Sequence, residues 1–195
     1  MINKLNIALL ISIISISYSC KQAKKSADET IEEVEEVKIE TTKEESKTIQ
    51  FMMEPKSDSN VKGEVTFTEE DGKIKMIAML NGLSEGEHAI HLHEKADCSS
   101  ADGKSTGGHW NPTFKPHGKW GAAEGYHKGD IGNFTADAEG NATIEFETDE
   151  WCMGCEDETK NIIGKAVIVH QGVDDYTSQP SGAAGARVSC TGIIE

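Results

Sequence analysis

Residues 61–80 read VKGEVTFTEEDGKIKMIAML and contain the clearest structural signal of the chain. In the first half, apolar residues such as Val65 and Phe67 alternate with polar ones, which is the pattern of a strand with one buried face. Asp71-Gly72 follows and is a strong signal for a tight hairpin turn. The stretch therefore predicts two antiparallel strands, over 60–70 and 73–80.

Six further runs of the same kind surround this hairpin, and no convincing helix accompanies them. They lie at residues 48–54, 87–93, 130–137, 141–148, 164–170 and 187–194. Many short strands with glycine-rich turns predict an all-β domain, here an eight-stranded antiparallel Greek-key barrel or sandwich. Two connections are too long to be turns, and long loops in a compact domain are usually functional. We call Glu94–Gly129 the first long loop and Gln171–Ala186 the second long loop.

The N-terminal part is not expected to belong to this domain. Residues 1–19 predict an export signal, because a basic start precedes an apolar run too short to span a bilayer. Cys20 then resembles the lipidation site of a bacterial lipoprotein; the alternative is an ordinary signal peptide with a chance cysteine. We predict a flexible charged tether from the lipidated Cys20 to residue 47, and a folded domain over 48–195.

The tether prediction has one alternative. Ile31, Val34 and Val37 recur every three residues and could line one face of a short helix. The composition of the segment, dominated by Lys, Glu, Ser and Thr, favours a solvated tether. The sequence thus predicts an exported protein, periplasmic or at the cell surface and anchored to a membrane.

The charge balance excludes one class of partner. The full chain carries a formal net charge of −15, and residues 48–195 alone hold 12 Lys and Arg against 25 Asp and Glu. Nucleic acid requires a basic surface, so we expect no nucleic-acid partner.

The four cysteines after Cys20 form an even set, which suits disulfides outside the cytosol. They are Cys98, Cys152, Cys155 and Cys190. The C-x-x-C pair at Cys152 and Cys155 lacks a thioredoxin-like βαβ context. An extra disulfide is favoured there; a thiol pair and an accessory metal-binding spot are the alternatives.

The histidines indicate a metal site. In GEHAIHLHE (86–94), strand alternation places His91 and His93 on one face and His88 on the other. Further along, in and just after the first long loop, lie His109, His117, His127 and Asp130. Three imidazoles and a carboxylate suit tetrahedral zinc; the alternative is four separate surface residues with local hydrogen bonds.

Seven motifs in fixed order make the pattern specific. They are HAIHLHE (88–94), DCSS (97–100), GGHWNP (107–112), HG (117–118), HKGDIGN (127–133), VIVH (167–170) and AGARVSC (184–190). Together they resemble the Cu/Zn superoxide dismutase family, in its bacterial, exported lipoprotein form, from about residue 50 onward. The resemblance implies an enzyme that disproportionates extracytoplasmic superoxide to oxygen and hydrogen peroxide, with copper and zinc as cofactors.

The resemblance also implies a role for each site residue. Copper would be bound by His91, His93, His109 and His170, and zinc by His109, His117, His127 and Asp130. His109 would bridge the metals and supply a catalytic proton, and Arg187 would hold the superoxide anion. Asp174 would link His91 to His117, His88 would support the copper site from behind, and Cys98 would pair with Cys190.

His91 and His93 cannot use the same ring nitrogen if both reach one ion, so one should bind through Nδ1 and the other through Nε2. A homodimer is possible. A non-catalytic metal-binding module on the same fold is the second functional hypothesis, and a purely structural adhesive sandwich is the third. The sequence retains every ligand position and Arg187, which favours the enzyme.

One departure from the family concerns charge. The second long loop contains no lysine, although many members carry lysines there that help guide the anion. Its only charges are Asp174 and Asp175, so attraction would have to come from Arg187 and the copper. We therefore expect the rate to depend only weakly, or inversely, on ionic strength.

Overall fold

The computed structural model describes residues 46–195. The predicted signal peptide, the lipidation of Cys20 and nearly all of the predicted tether lie outside these residues. Within 46–195, no helix has the length and apolarity needed to cross a membrane.

Eight β-strands and one short 3₁₀ turn make up the secondary structure of this part of the chain. The strands are β1 Lys47–Pro55, β2 Lys62–Glu70, β3 Lys73–Asn81, β4 Gly86–His93, β5 Gly132–Ala136, β6 Ala142–Thr148, β7 Ala166–His170 and β8 Arg187–Gly192. The 3₁₀ turn, Lys104–Thr106, lies in the first long loop. The fold-class prediction is confirmed, and strand ends differ from the predicted ones by two residues at most. β1 begins at Lys47, the last residue of the predicted tether.

The strands form one sheet in the order β5-β4-β7-β8-β1-β2-β3-β6, and all pairs are antiparallel. β1 joins β8 through only two residue pairs, whereas the β2–β3 hairpin is paired along its whole length. At the two ends of the sheet, β5 continues into β6 through a turn in which Asp137 N–H donates to the Asn141 carbonyl (2.9 Å). The sheet therefore curls into a nearly closed barrel with Greek-key connections.

The barrel interior contains the apolar residues of the alternating pattern. Val65 and Phe67 of β2 and Met76 of β3 are completely buried, and Ile90 and Leu92 of β4 pack into the same core. The interior is thus filled by aliphatic and aromatic side chains without help from the histidines.

The outer face of the β4–β7–β8 region is also buried. All five residues of β7 are buried, and Ile168 packs with Cys190 in a second, smaller cluster on that side. The burial of both faces means that the two long loops cover this part of the barrel. His91 and His93, which alternate with the core residues Ile90 and Leu92, lie on this covered outer face.

Residues 46–195 contain two disulfides. Cys98 in the first long loop is bonded to Cys190 in β8, across a separation of 92 residues, and Cys152 is bonded to Cys155 across a separation of 3. The disulfide favoured for the C-x-x-C pair is therefore confirmed. The long bridge fastens the first long loop to the outer face of β8.

The two bridges should differ in their effect on stability. Chain entropy predicts a contribution of about 4.5 kcal/mol for the long loop and about 2 kcal/mol for the short one. We expect the Cys98→Ser/Cys190→Ser variant to lose more unfolding free energy in guanidinium titrations of the metal-free protein than Cys152→Ser/Cys155→Ser. Equal losses would contradict the entropic account.

Candidate metal centre

Three of the histidines are placed by regular strand pairing. In the β4–β7 ladder, His91 lies opposite Ile168 and His93 lies opposite Ala166. His170 ends β7 at an irregularity in the β7–β8 register and pairs with Arg187. The sheet therefore brings His91, His93, His170 and Arg187 to one area of the outer face.

The first long loop returns along β4 and brings in the other ligand candidates. Leu92 N–H donates to the Gly129 carbonyl (2.9 Å), Trp110 N–H donates to the Leu92 carbonyl (2.8 Å), and His109 forms a bridge with His93. A Cβ at position 129 would collide with the Leu92 carbonyl oxygen, so the loop can approach the strand this closely only with glycine. His109 is thereby held against His93, and Asp130 lies behind it with Oδ1 2.9 Å from His109 Nδ1.

Two clusters of buried donor groups result. One contains His91, His93, His109 and His170, and the other contains His109, His117, His127 and Asp130. In each cluster, the four candidate ligand atoms lie within 4.8 Å of one another. The structure therefore brings together both sets of residues that the sequence singled out, with His109 in each.

Six ring nitrogens in these clusters are buried and make no hydrogen bond within residues 46–195. They are His91 Nδ1, His93 Nε2, His109 Nε2, His117 Nδ1, His127 Nδ1 and His170 Nε2. Two of them, His117 Nδ1 and His127 Nδ1, face oxygens of the Asp130 carboxylate at 3.0 and 3.4 Å, and the other four face no protein acceptor or donor in this part of the chain. Buried polar atoms without a hydrogen bond are rare and costly in proteins, and six together require an explanation. The free atoms of the first cluster are four imidazole nitrogens, which suit copper, and those of the second, with Asp130, suit zinc. The residues present therefore fit both metals.

The free nitrogens also show which ring atom each histidine presents. His91 offers Nδ1 because its Nε2 contacts Asp174 Oδ2 (2.9 Å), and His93 offers Nε2 because its Nδ1 contacts the Gly107 carbonyl (3.0 Å). The sequence required two different nitrogens but left the choice open. The hydrogen-bond partner of the opposite nitrogen fixes each ring.

Burial favours the neutral form of three of these imidazoles. It lowers the pKa of His93 and His170 well below the ordinary value, and the pKa of His109 to about 4. His117 behaves differently: burial opposes its protonation, but contacts with Asp130 and Asp174 raise its pKa to about 9. Neutral rings carry the lone pairs that metal binding needs.

The carboxylate of Asp174 connects the two clusters. Its Oδ2 lies 2.9 Å from His91 Nε2, and its Oδ1 lies 2.8 Å from His117 Nε2. Although burial alone would raise it, contacts with these imidazoles hold the pKa of Asp174 below its usual range. Asn133 fixes the main chain of Asp174 with two hydrogen bonds of 2.8 Å, a contact that the sequence gave no means of predicting.

His88 lies outside both clusters. Its Nδ1 is 3.1 Å from the His170 carbonyl oxygen, its Nε2 is 2.9 Å from the Ser84 carbonyl oxygen, and its ring stacks on Phe134. This position behind His170 agrees with the opposite strand parity of His88.

Arg187 stands beside the first cluster. Its Nη1 donates to the Gly103 carbonyl and to Thr106 Oγ1, both at 2.9 Å. Within residues 46–195, Nε and Nη2 make no hydrogen bond, so these N–H groups are free for an anion. The 3₁₀ turn thus holds the guanidinium in place.

A cleft of about 790 Å³ opens above the first cluster. Arg187, His93, His109 and His170 line it, together with three charged residues that sequence reasoning missed: Glu94, Asp102 and Lys104. Lys104 Nζ lies 3.0 Å from Asp102 Oδ2 at the surface. The second long loop contributes no lysine to the cleft, and the first long loop adds Lys104 beside Arg187.

Cys152 and Cys155 belong neither to the clusters nor to the cleft lining. Cys152 bridges to Asn161, and the side chain of Asn161 accepts a hydrogen bond from Gly154 N–H (3.0 Å). The pair therefore closes a local loop of its own.

The sequence matches a protein-family model and a curated relative of the same family. The family model for copper/zinc superoxide dismutase matches residues 61–194. A superoxide dismutase [Cu-Zn] of Caulobacter vibrioides is 36% identical over 137 residues, which are 68% of this chain and 78% of that protein.

Solved structures agree. A double mutant of a SOD-like protein from Bacillus subtilis, with two residues replaced by histidine, has a TM-score of 0.67 and 29% identity, over 75% of this chain and 97% of that one. The clock protein EA4 has a TM-score of 0.63 and 34% identity, over 75% and 94%. The chain therefore belongs to the Cu/Zn superoxide dismutase family, and copper and zinc are the cofactors that this membership implies.

Proposed function

We propose that the chain disproportionates superoxide at a centre in which His91, His93, His109 and His170 hold copper and His109, His117, His127 and Asp130 hold zinc. Six buried nitrogens without hydrogen-bond partners, next to a cleft with a fixed arginine, carry this proposal. The reaction converts two superoxide anions and two protons into oxygen and hydrogen peroxide. When bound, copper exchanges one electron with each superoxide by alternating between Cu(II) and Cu(I), and zinc supplies a charge without redox chemistry.

Arg187 binds the anion. Its free N–H groups are oriented because Gly103 and Thr106 hold the other side of the guanidinium. A fixed, always charged fork binds a small anion at little ordering cost.

His109 carries a proton. Its Nδ1 is fixed by Asp130 Oδ1 (2.9 Å), and its Nε2 is free and belongs to the copper cluster. A proton taken up at Nε2 therefore stands at the base of the cleft, where it can be donated to the departing peroxide.

The protein works outside the cytoplasm and protects against superoxide there. Two disulfides and a bacterial Cu/Zn relative support an exported protein. Lipidation of Cys20, which would hold the domain at a membrane through the charged tether, follows from the sequence pattern alone. A homodimer stays a prediction.

The central test is reconstitution. We expect the protein loaded with copper and zinc to disproportionate superoxide, and His109→Ala to lose most activity and change the EPR spectrum of Cu(II). The variant loses one ligand of each metal, and it also loses the proposed proton carrier. A fully metallated but inactive wild type would overturn the enzyme assignment and favour a non-catalytic metal-binding module.

The histidines of β4 should separate into two classes. His91→Ala should abolish copper-dependent activity and lower copper stoichiometry, because it removes a donor nitrogen. His88→Ala should retain bound copper and lose activity only partly, since His88 contacts the His170 main chain. Elemental analysis with activity measurements decides this, and equal copper loss in both variants would contradict it.

The ionic-strength dependence should be shallow. The acidic domain repels superoxide at long range, whereas Arg187 and Lys104 attract it locally, and salt screens both effects. We expect kcat/KM to change less than about two-fold between 0.01 and 0.2 M salt. Lys104→Gln should lower kcat/KM at low salt, unlike Lys62→Gln, which removes the same charge from β2. A steep fall of the wild-type rate with salt would contradict this account.

A further inference from the structure

Residues 178–182 of the second long loop form a turn that lies directly on the contact between His117 and Asp174. Gly182 N–H donates to the Ser178 carbonyl (2.7 Å), which closes the turn. A Cβ at Gly182 would overlap both Asp174 Oδ1 and His117 Nε2, and the φ of Gly182 is +66°. Only a bare main chain can therefore cover this contact so closely.

Gln179 fastens this turn to the first long loop. Its Oε1 accepts from the His117 N–H and its Nε2 donates to the His117 carbonyl, both at 2.9 Å. Because a planar amide makes both bonds, they fix the position and the orientation of the His117 main chain.

His117 needs this support. It lies in an irregular segment, and within residues 46–195 its main-chain N–H and C=O make no backbone hydrogen bond. The side chain of Gln179 thus satisfies both groups. The ring of His117 must meanwhile face two carboxylates, with Nδ1 3.0 Å from Asp130 Oδ2 and Nε2 2.8 Å from Asp174 Oδ1. A small displacement of the main chain would break one of these contacts.

The same turn also forms a wall of the cleft. Pro180 and Ser181 line the cleft together with Ala183 and Arg187. The turn therefore contacts the zinc cluster on one side and the path of the anion on the other. Gln179 is the direct hydrogen-bonded link between the turn and the zinc cluster.

We propose that Gln179 is a positioning residue that orients His117 for zinc and couples the zinc cluster to the wall of the cleft. The inference rests on the proposed function, because it takes His117 as a zinc ligand. Hydrogen-bonding partners of metal ligands typically contribute 10–100-fold to metal affinity. The cleft wall should move when the link is lost, so anion binding should weaken as well.

The experiment compares three variants of the full chain with the wild type. Gln179→Met keeps the length of the side chain and removes both hydrogen bonds, and Gln179→Glu keeps the acceptor for the His117 N–H. Gln171→Met is the matched control: Gln171 is an exposed glutamine of the same loop whose side chain makes no hydrogen bond within residues 46–195.

Three readouts apply: zinc affinity by chelator competition, the visible spectrum of Co(II) in the zinc site, and azide binding to the copper- and zinc-loaded protein. We expect Gln179→Met to raise the Kd for zinc by roughly 10–100-fold, to change the Co(II) spectrum and to weaken azide binding several-fold. Gln179→Glu should fall between Gln179→Met and the wild type, and Gln171→Met should match the wild type.

A zinc Kd for Gln179→Met within two-fold of the wild type would overturn the proposal, and so would equal losses in Gln179→Met and Gln171→Met. If Gln179→Met does not fold, Gln179→Glu decides by the same criteria. A wild type that takes up no zinc would instead overturn the ligand assignment, and the role of Gln179 with it.

Discussion

The burial of six imidazole nitrogens without hydrogen-bond partners is the constraint on which the functional half of this molecule depends. Removing these atoms from water costs free energy, and Asp130 offsets part of that cost for only two of them, His117 Nδ1 and His127 Nδ1. The barrel does not share this cost, since its interior is apolar and complete without the histidines. The unfavourable free energy arises where the long loops cover the outer face of β4 and β7. Bound metal ions would supply the missing partners, so the order of the loops and the occupancy of the clusters depend on each other.

The charges at the cleft differ from those of the domain as a whole. The domain as a whole is strongly acidic, and three carboxylates at the clusters and the cleft have defined contacts: Asp130 belongs to the second cluster, Asp174 connects the two clusters, and Asp102 pairs with Lys104. The fixed positive charge of Arg187 stands at the cleft without a carboxylate partner among residues 46–195. Selection of a small anion therefore rests on local geometry rather than on the overall field of the protein.

The strands could be predicted from the sequence because their signals are local. The alternation in residues 61–80 and the Asp71-Gly72 turn fix the β2–β3 hairpin, and strand parity alone separates His88 from His91 and His93. The placement of Lys104 at the cleft could not be predicted, because it depends on the path of a loop with no periodicity.

The hydrogen bonds made by Gln179 and Asn133 could not be predicted from the sequence for a related reason. A side-chain amide that binds a main chain 62 residues away leaves no local pattern, and Gln171, an exposed glutamine of the same loop, makes no such contact with the residues that the structure describes. The free nitrogen of each ligand histidine likewise depends on partners such as Gly107 and Asp174, which only the folded chain brings near. Strand alternation and turn signals therefore predict the barrel, whereas the contacts between the two long loops can be seen only in the structure.

The bond between Cys98 and Cys190 also concerns the anion-binding arginine. Cys190 lies in β8, and Arg187 lies in the same strand, three residues earlier. Gly103 and Thr106, which accept the hydrogen bonds of the guanidinium, follow Cys98 in the first long loop. The covalent bond therefore keeps the loop that orients the guanidinium beside the strand that carries it.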